Sequence, residues 1–307
     1  MQGQGVILTS QGVLPITVAI PTYRREQVLL NTLDYLLALI PQPAEILVLD
    51  QTEQHDPATV QRLQELHAAG RIRWLWLESP SIPQAMNRGL QEAKHDLVLF
   101  VDDDIRPEPG LIAAHLAAHQ AHADVLLAGR VIQPWDEGLD ISIVAHSEFA
   151  GIVPGWINDF IGCNFSVRRS TALALGGFDE NFVRVAYRFE AEFAHRWRAS
   201  GRRIHFEPAA CLHHLKDSGG GTRTYGEHLT TWKPDHAVGA YYFCLRTGAV
   251  GGFLLRPFRA LATRHHLRRP WWIPLTLAAE LRGMAWAFGL YLRGPKYADQ
   301  GGVATDA

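Results

Sequence analysis

The chain has 307 residues, which is enough to bury a sizeable core in one large domain or in one domain with an appendage. Its formal net charge of −2 gives no support for binding to nucleic acid, and its apolar and charged fractions are those of a folded soluble protein. The three cysteines form no paired motif, which fits a reducing cytoplasm, and the N-terminus lacks the basic and apolar segments of a signal peptide.

Short apolar runs alternate with amphipathic segments over the first hundred residues. The apolar runs predict strands at residues 16–20, 46–49, 72–77 and 97–101. Apolar residues at helical spacing predict helices between them, at residues 28–40, 59–69 and 84–94. Strands that are apolar throughout, each followed by a helix, are typical of a parallel sheet covered on both faces, so the sequence predicts an α/β fold.

The alternation stops after about residue 131. Prolines and glycines predict a loop over residues 133–159. A strand, a helix and a second strand are predicted to follow at residues 161–167, 186–200 and 203–206. One predicted helix face carries three histidines with no acidic partner, which predicts a solvated face: His115, His119 and His122. Two histidines that lie among arginines, His265 and His266, predict surface charge.

The C-terminal part of the chain is basic and rich in tryptophan. From residue 246 to residue 296 nine arginines and lysines are opposed only by Glu280. The stretch 271–292 is long enough to span a membrane, but Glu280 and Arg282 lie near its centre, where charge is costly. We therefore predict an amphipathic helix at a surface. Segment 245–296 is expected to contact anionic lipids, and a helical appendage packed on the main domain or on a second subunit is the alternative.

Three consecutive aspartates directly follow the fourth predicted strand: Asp102, Asp103 and Asp104. Crowded carboxylates repel one another, and a hard cation such as Mg²⁺ or Mn²⁺ removes that repulsion. Ligands of open α/β sheets bind beyond the carboxyl ends of the strands, where Thr22, Tyr23 and Asp50 also lie. The run therefore predicts a metal site at the edge of the sheet, and a polar loop with Asp104 as a helix cap is the alternative.

Seven motifs occur in a fixed order between about residues 16 and 215. They are VAIPTYRR (18–25), LVLD (47–50), SIPQAMNRGL (81–90), LFVDDDIRP (99–107), GCNFSVRRS (162–170), GGFDENF (176–182) and FEAEFAHRW (189–197). In this order they resemble glycosyltransferase family 2. The resemblance implies a GT-A fold, a Rossmann-like mostly parallel sheet flanked by helices, here with a helical C-terminal appendage. We place the catalytic domain at residues 1–235 and the C-terminal segment at residues 236–307.

The resemblance implies an inverting, metal-dependent transfer of a sugar from a nucleoside diphosphate sugar, a UDP-sugar being the first expectation, to a hydroxyl acceptor. Mg²⁺ or Mn²⁺ is the implied cofactor, and the acceptor class includes lipid-linked sugars and polysaccharides of the cell envelope. The expected location is the cytoplasm, with peripheral contact at the inner face of the cell membrane. The alternatives are a non-catalytic nucleotide-sugar binding or membrane scaffold protein and a nucleotidyltransferase, although VAIPTYRRE lacks the glycine-rich loop of the latter.

The resemblance also assigns residues to the donor and the metal. Those implied to hold the nucleotide sugar, from the base to the sugar, are Thr22, Tyr23, Arg24, Asp50, Asn87, Arg88 and Asn164. Asp102 and Asp104 match the ends of the family's DxD motif, with Asp104 as metal ligand and Asp102 between the ribose and the metal. Asp103 stands in the middle position and shares either role. His214 is implied to complete the metal site or to contact the diphosphate.

An inverting transferase also needs a carboxylate that takes the proton of the acceptor hydroxyl. The family's motif has an aspartate six residues before an arginine, and here Arg196 fixes that position at Glu190. We predict Glu190 as the base, with Glu192 and a purely solvated acidic helix as alternatives. Asp179 is a further candidate, for which the resemblance implies a structural place at a turn. Residues 219–222 are predicted to form a mobile loop near the acceptor.

Overall fold

Four parallel strands form one half of a nine-stranded sheet in the computed structural model, which describes residues 12–139 and 149–298. They are β1 (Leu14–Thr22), β2 (Pro43–Asp50), β3 (Arg73–Trp76) and β4 (Leu97–Val101). Their order across the sheet is β3-β2-β1-β4, and every residue of β4 is buried. This half matches the predicted parallel sheet because apolar strands such as β4 need cover on both faces.

Helices connect the parallel strands and cover the sheet. They are α1 (Gln27–Leu37), α2 (Pro57–Ala68) and α3 (Ile82–Glu92). Helix α3 begins two residues earlier than predicted, because the Ser81 hydroxyl accepts a hydrogen bond from the Gln84 amide and Pro83 stands in the first turn. Gly89 lets α3 lie close to the sheet, since a Cβ there would meet Leu49 and Phe100.

The other half of the sheet is mixed, so the parallel pattern ends at β4. Its strands are β5 (Ile105–Pro107), β6 (Leu126–Ile132), β7 (Gly155–Ile157), β8 (Asn164–Arg168) and β9 (Ile204–His214), and its helices are α4 (Leu111–Ala121), α5 (Arg169–Ala174) and α6 (Phe189–Ala199). Strand β8 lies antiparallel between β4 and β6, and β6 runs parallel to β9. Strand β9 has eleven residues where four were predicted, because its pairing with β6 continues past Pro208 after a register shift.

The C-terminal helices share a core with the rest of the chain. They are α7 (Ala237–Thr247), α8 (Val250–Leu261), α9 (Arg264–Arg268) and α10 (Ile273–Leu292). Tyr241 and Tyr242 of α7 belong to the same buried cluster as Phe178 and Phe193. The chain then returns to the main body, where the Ala298 amide donates to the Gly176 carbonyl. Within the described residues, none of the helices combines the length and hydrophobicity that a membrane crossing would need.

The prediction of a solvated histidine face on α4 is wrong. His115 has no exposed surface and bonds to Ser166 and Asn164, and His119 bonds to the same serine. Burial lowers the pKa of His115 to about 4 and that of His119 to about 3, so both rings are neutral at pH 7. His266 is buried in the same way, between the hydroxyls of Thr263 and Thr276.

Candidate functional site

A cavity of about 670 Å³ opens beyond the carboxyl ends of β1 and β4. We refer to it as the aspartate cavity. Seven of the predicted site residues line it: Thr22, Tyr23, Asp102, Asp103, Asp104, Glu190 and His214. They come from strand ends, from the start of α6 and from the end of β9. The sheet therefore assembles one site from residues that are far apart in the sequence.

Two of the three aspartates are held firmly by protein groups. In Asp104 one carboxylate oxygen lies 3.1 Å from His214 Nε2, and the other accepts a hydrogen bond from the Asp217 amide at 2.9 Å. Asp103 is buried and lies 3.2 Å from the Nε of Arg25. The side chain of Asp102 is 41% exposed. Asp102 is therefore the aspartate most open to a ligand.

Arg25 is the functional residue that the sequence analysis missed. Its side chain is 7% exposed and forms ion pairs with Asp103, Asp104 and Asp217. Arg24 has a φ of +54°, and this turn in the backbone sends its own side chain outward to Glu53. A signal was present, because several buried carboxylates require a cation and this arginine follows the same strand as the predicted nucleotide-binding residues.

The charges of the aspartates depend on these partners. Burial raises the pKa of Asp103 to about 7, against the opposing effect of Arg25. Partial burial in the cavity also raises the pKa of Asp102, the charge of His214 opposes this, and the neighbouring Asp104 adds to it. Although burial opposes its ionisation, the hydrogen bond and charge of His214 and the charge of Arg25 hold the pKa of Asp104 below its ordinary value. Asp104 is therefore the carboxylate most firmly ionised at neutral pH.

The donor atoms for a metal ion are present at the bottom of the cavity. Ligand atoms of Asp102, Cys163 and His214 all lie within 4.8 Å of one another. The first and third were predicted, whereas Cys163 was not, and Asp104 contacts the same imidazole. The carboxylate oxygens suit Mg²⁺ or Mn²⁺, and an imidazole and a thiol extend the site to softer cations. The residues therefore fit a divalent ion.

Glu190 lies in the wall of the cavity, in the first turn of α6. Burial raises its pKa to about 8. Gly162 makes room for the carboxylate, since a Cβ at that position would lie 2.9 Å from Glu190 Oε1. Glu192 instead forms a two-point ion pair with Arg196, with contacts of 2.8 and 2.9 Å, and is buried away from the cavity.

The proposed role of Asp50 at the nucleotide base is not supported. Its side chain has no exposed surface and accepts hydrogen bonds from the His55 ring, the Trp74 indole and the Thr52 amide. Because three hydrogen-bond donors enclose this carboxylate, it presents no free oxygen to a ligand in the cavity. Its neighbour Gln51 does line the cavity. Arg24 is likewise directed away, to Glu53, and is absent from the lining.

Three more of the residues that were predicted to bind the nucleotide sugar lie outside the cavity. Asn87 is buried and exchanges two hydrogen bonds with the backbone of Phe178, which ties α3 to the loop that follows α5. Arg88 is exposed and pairs with Glu92 one turn later. Asn164 donates to the carbonyls of Arg130 and Ala210 and accepts from His115. Their polar groups are satisfied within the protein, so we leave all three out of the donor site.

The glycine-rich loop of residues 219–222 packs against the segment that directly follows β1. The Gly221 amide donates to the Tyr23 carbonyl at 2.8 Å, and Gly220 adopts a φ of +64° close to the backbone of Arg24. The next residues, Gly221–Tyr225, form a short 3₁₀ helix that lines the cavity. The prediction placed this loop near the acceptor, whereas its described contacts are with the segment predicted to hold the nucleotide.

Comparisons with known proteins identify the family and the fold. The model of the family described as Glycosyl transferase family 2 matches residues 17–175, more than half of the chain. No curated protein sequence gives a significant match. The family match extends from β1 to the end of α5 and so contains the three aspartates, although Glu190 and His214 lie beyond it.

Several solved structures resemble the chain at low sequence identity. S. aureus TarS 1-349 in complex with UDP-GlcNAc has a TM-score of 0.60 and 14% identity, with 92% of this chain and 93% of that chain covered. Mannosyltransferase PcManGT from Pyrobaculum calidifontis in complex with GDP-Man and Mn²⁺ has a TM-score of 0.54 and 20% identity, with 91% and 79% covered.

A further structure, GalNAc-T7 with UDP, GalNAc and Mn²⁺, has a TM-score of 0.55 and 13% identity and covers 78% of this chain. The chain spans about half the length of that protein, 52%. At these identities the likenesses show the fold, and the predicted GT-A fold is confirmed. The family match adds the sequence relationship, and together they show that this chain is a glycosyltransferase belonging to family 2.

Proposed function

We propose that the protein transfers a sugar from a nucleoside diphosphate sugar to a hydroxyl acceptor, with inversion at the anomeric carbon and with a divalent metal ion. The observation that carries the proposal is that Glu190 and the aspartate run share one cavity. A base and a charge-binding group in one cavity are what such a transfer requires. The nucleotide sugars bound to the two solved relatives, UDP-GlcNAc and GDP-Man, support this class of donor.

The donor enters along the side of the cavity formed by the end of β1. Thr22 and Tyr23 line this side together with Gln51, and they offer an aromatic ring and polar groups to the base and ribose. Lys216 lines the same cavity and carries a positive charge that a diphosphate needs, whereas three carboxylates already balance the charge of Arg25. A UDP-sugar is our first choice of donor, and a GDP-sugar is the second.

Asp102 and His214 would hold the metal ion, with Asp104 positioned by the same imidazole. Mg²⁺ or Mn²⁺ bound there would neutralise the charge that develops on the departing diphosphate. Arg25 holds Asp103 and Asp104 in place from the other side. His214 Nε2 lies 3.5 Å from Asp102 and 3.1 Å from Asp104, so it is the ring atom that faces the site.

Glu190 would take the proton of the acceptor hydroxyl as the oxygen attacks the anomeric carbon from the side opposite the diphosphate. This direction of attack inverts the configuration of that carbon. Burial raises the pKa of Glu190 to about 8, and a base with a pKa near the working pH removes a hydroxyl proton efficiently. Gly162 keeps space beside this carboxylate.

We also propose peripheral contact with an anionic membrane through residues 245–296. Helix α8 buries none of its residues, and one face exposes apolar side chains: Val250, Leu254, Leu255 and Phe258. Arg264, Arg268 and Arg269 follow directly and are exposed. Apolar insertion together with basic charge is the combination that binds anionic bilayers. Such contact fits the inner face of the cell membrane and an acceptor used in polysaccharide or glycoconjugate synthesis.

The test of the proposed reaction is release of nucleoside diphosphate from a panel of nucleotide sugars with Mn²⁺, Mg²⁺ or a chelator. We expect metal-dependent turnover in the wild type and its loss in both Asp102→Ala and Asp104→Ala. Asp34→Ala, which removes an exposed carboxylate paired with Arg62, is the control and should keep full activity. Undiminished turnover in both cavity variants, or in the chelator, would contradict the metal assignment.

Donor binding is measured separately by thermal shift. A nucleoside diphosphate at a hundred times its dissociation constant stabilises the folded state by about 2.7 kcal/mol. We expect this shift only with the metal ion present.

A further inference from the structure

A second cavity of about 540 Å³ adjoins the aspartate cavity. It lies between α7, α8 and α10 and the segment that precedes α7. Tyr187 and Arg188 line both cavities. We refer to the second one as the basic cavity, because six of its lining residues are basic: Arg188, His228, Lys233, His236, Arg256 and Arg259.

The positive charge of the basic cavity is not balanced by the protein. Its one acidic lining residue, Glu280, is 5% exposed and is already paired with Arg256, whose Nε lies 3.1 Å from Oε2. Arg188, Lys233 and Arg259 form no ion pair with a carboxylate in the described part of the chain. The lining thus carries three unpaired permanent cations and two histidines around one neutralised pair.

Two histidines lie next to each other in the lining of the basic cavity. Burial lowers the pKa of His228, the charges of His236, Arg256 and His265 act in the same direction, and that of Glu227 acts against them. The rings of His228 and His236 lie 5.4 Å apart. The positive potential therefore comes from the three unpaired cations of the lining, and such a potential attracts an anion.

Arg188 links the basic cavity to the reacting centre. Its backbone has a φ of +75°, and it is the residue directly before α6. Its guanidinium lies 5.4 Å from the ring centre of Tyr187 and 5.8 Å from that of Phe243, a lining residue of the basic cavity. Glu190 follows two residues later in the wall of the aspartate cavity. A molecule whose anionic group is held in the basic cavity can therefore extend another of its groups toward Glu190.

We propose that the basic cavity is the acceptor subsite and that it binds a phosphate group carried by the acceptor. This inference rests on the proposed function, because it identifies the molecule whose hydroxyl Glu190 would deprotonate. A phosphate presents close to two negative charges and several strong acceptor oxygens, which match the three unpaired cations. The donor's own diphosphate is bound by the other cavity, so the two anions do not compete.

Helix α8 connects this subsite with the surface proposed to meet a membrane. Gly252, Arg256 and Arg259 face the basic cavity, and Leu254 and Phe258 on the opposite face are 62% and 70% exposed. A phosphate bound behind an interfacial helix lies at headgroup depth. The phosphate can come from a lipid-borne acceptor or from a water-soluble one, and the two sources differ only in the attached chain.

The experiment is calorimetric titration of the full chain with two phosphate monoesters, methyl phosphate and decyl phosphate, the latter below its micellar concentration. The aspartate cavity is first saturated with UDP or GDP, whichever the protein binds, and Mn²⁺. Decyl maltoside provides the same alkyl chain without phosphate. We compare the wild type with Lys233→Glu/Arg259→Glu and with Arg71→Glu/Lys94→Glu, two exposed residues to which no binding role is assigned. The second pair carries the same change in charge and lies outside the lining.

We expect the wild type to bind phosphate when the donor site is filled. Lys233→Glu/Arg259→Glu should lose at least tenfold in affinity for phosphate, whereas the affinity of the second pair should change by less than about twofold. Equal affinity for both monoesters would identify a soluble phosphate acceptor, and tighter binding of decyl phosphate alone a lipid-borne one. Absence of phosphate binding, equal losses in both pairs, or equal binding of decyl maltoside would overturn the proposal. Binding of the nucleoside diphosphate is measured in the same samples. It stays intact if only the phosphate subsite is wrong, and it is lost if the proposed function itself fails.

Discussion

At the scale of single residues, the environment of each carboxylate decides what it can do. Glu190 and Glu192 stand two positions apart in one turn of α6. Glu190 faces a cavity with no arginine paired to it in the described residues, so burial raises its pKa to about 8. Glu192 is 2% exposed and held by Arg196. The first is in a position to exchange a proton with a ligand, whereas the second forms an ion pair within α6 that orients Arg196.

Replacing these two residues should therefore give opposite results. Glu190→Gln should keep nucleoside diphosphate binding and slow transfer by about 10²–10⁴-fold, the usual contribution of a general base. Glu192→Gln should leave Arg196 without its ionic partner and destabilise the protein by about 3 kcal/mol, with catalysis retained in the folded fraction. Steady-state kinetics and urea denaturation of both variants measure this. Rapid transfer by Glu190→Gln and none by folded Glu192→Gln would reverse the assignment.

The raised pKa of Glu190 also predicts the pH dependence of the reaction. The base acts in its ionised form, and burial favours the neutral form, so activity is present above the raised pKa and is lost as the pH falls through it. We expect kcat/KM to fall about tenfold per pH unit below pH 8 and to level off above it. A pH profile of the wild type tests this, and the residual activity of Glu190→Gln should lack that limb. A limb near pH 4.5 in the wild type would show that the pKa of Glu190 is not raised, and a limb that persists in Glu190→Gln would show that Glu190 is not the base.

At the scale of elements, α8 is a helix with two different faces. Its cavity face is basic, and its outer face exposes Leu254 and Phe258. Exposed apolar residues in a row along a helix mark an interaction surface when basic residues accompany them. The loop between β9 and α7 is a second element that borders a proposed binding site, because its glycines bring it against the Tyr23 carbonyl at the cavity rim.

Acidic residues on the outer face of α8 should weaken membrane contact. We expect Leu254→Glu/Phe258→Glu to float with anionic liposomes much less than the wild type, because a carboxylate both removes apolar surface and repels the lipid headgroups. Ile40→Glu/Val153→Glu is the control, since it changes two residues that are 87% and 59% exposed elsewhere on the protein. Equal flotation of all three proteins would rule out α8 as the contact.

At the scale of the whole molecule, the C-terminal helices behave as part of the catalytic body. The buried residues of α7 and α10 join the main cluster, and the Lys296 amide donates to Asp179. Asp179 also accepts a hydrogen bond from the Tyr242 hydroxyl. The predicted boundary at residue 235 thus cuts through a shared core rather than a linker.

Truncation after residue 235 should for this reason prevent stable folding. The remaining chain would expose the surfaces that Tyr241, Tyr242 and Leu290 now cover, and each large buried side chain contributes about 3–5 kcal/mol when lost. We expect the truncated chain to lack a cooperative thermal transition in circular dichroism, with Trp271→Ala in the full chain as a folded control, because that residue is 66% exposed. A truncated chain that melts cooperatively near the wild-type temperature would show that residues 1–235 fold without the C-terminal segment.

The sequence by itself determined the parallel half of the sheet and the position of the aspartate run. Runs such as 97–101 are apolar throughout, and burial of such a run on both faces leaves few alternatives to a central strand. The polar residues that follow it must then lie at the carboxyl edge. The prediction of Glu190 came instead from the resemblance to glycosyltransferase family 2, whose motif places the base six residues before Arg196.

Only the tertiary structure decided which polar side chains face the cavity. Arg25 reaches Asp104 across 79 positions and Asp217 across 192, and no local pattern encodes contacts of that separation. Asp50 and Asn164 carry suitable groups, but neighbouring donors and acceptors in the fold satisfy them first. The physical reason is that a buried polar group bonds to whatever partner packing brings to it, and packing depends on the whole chain.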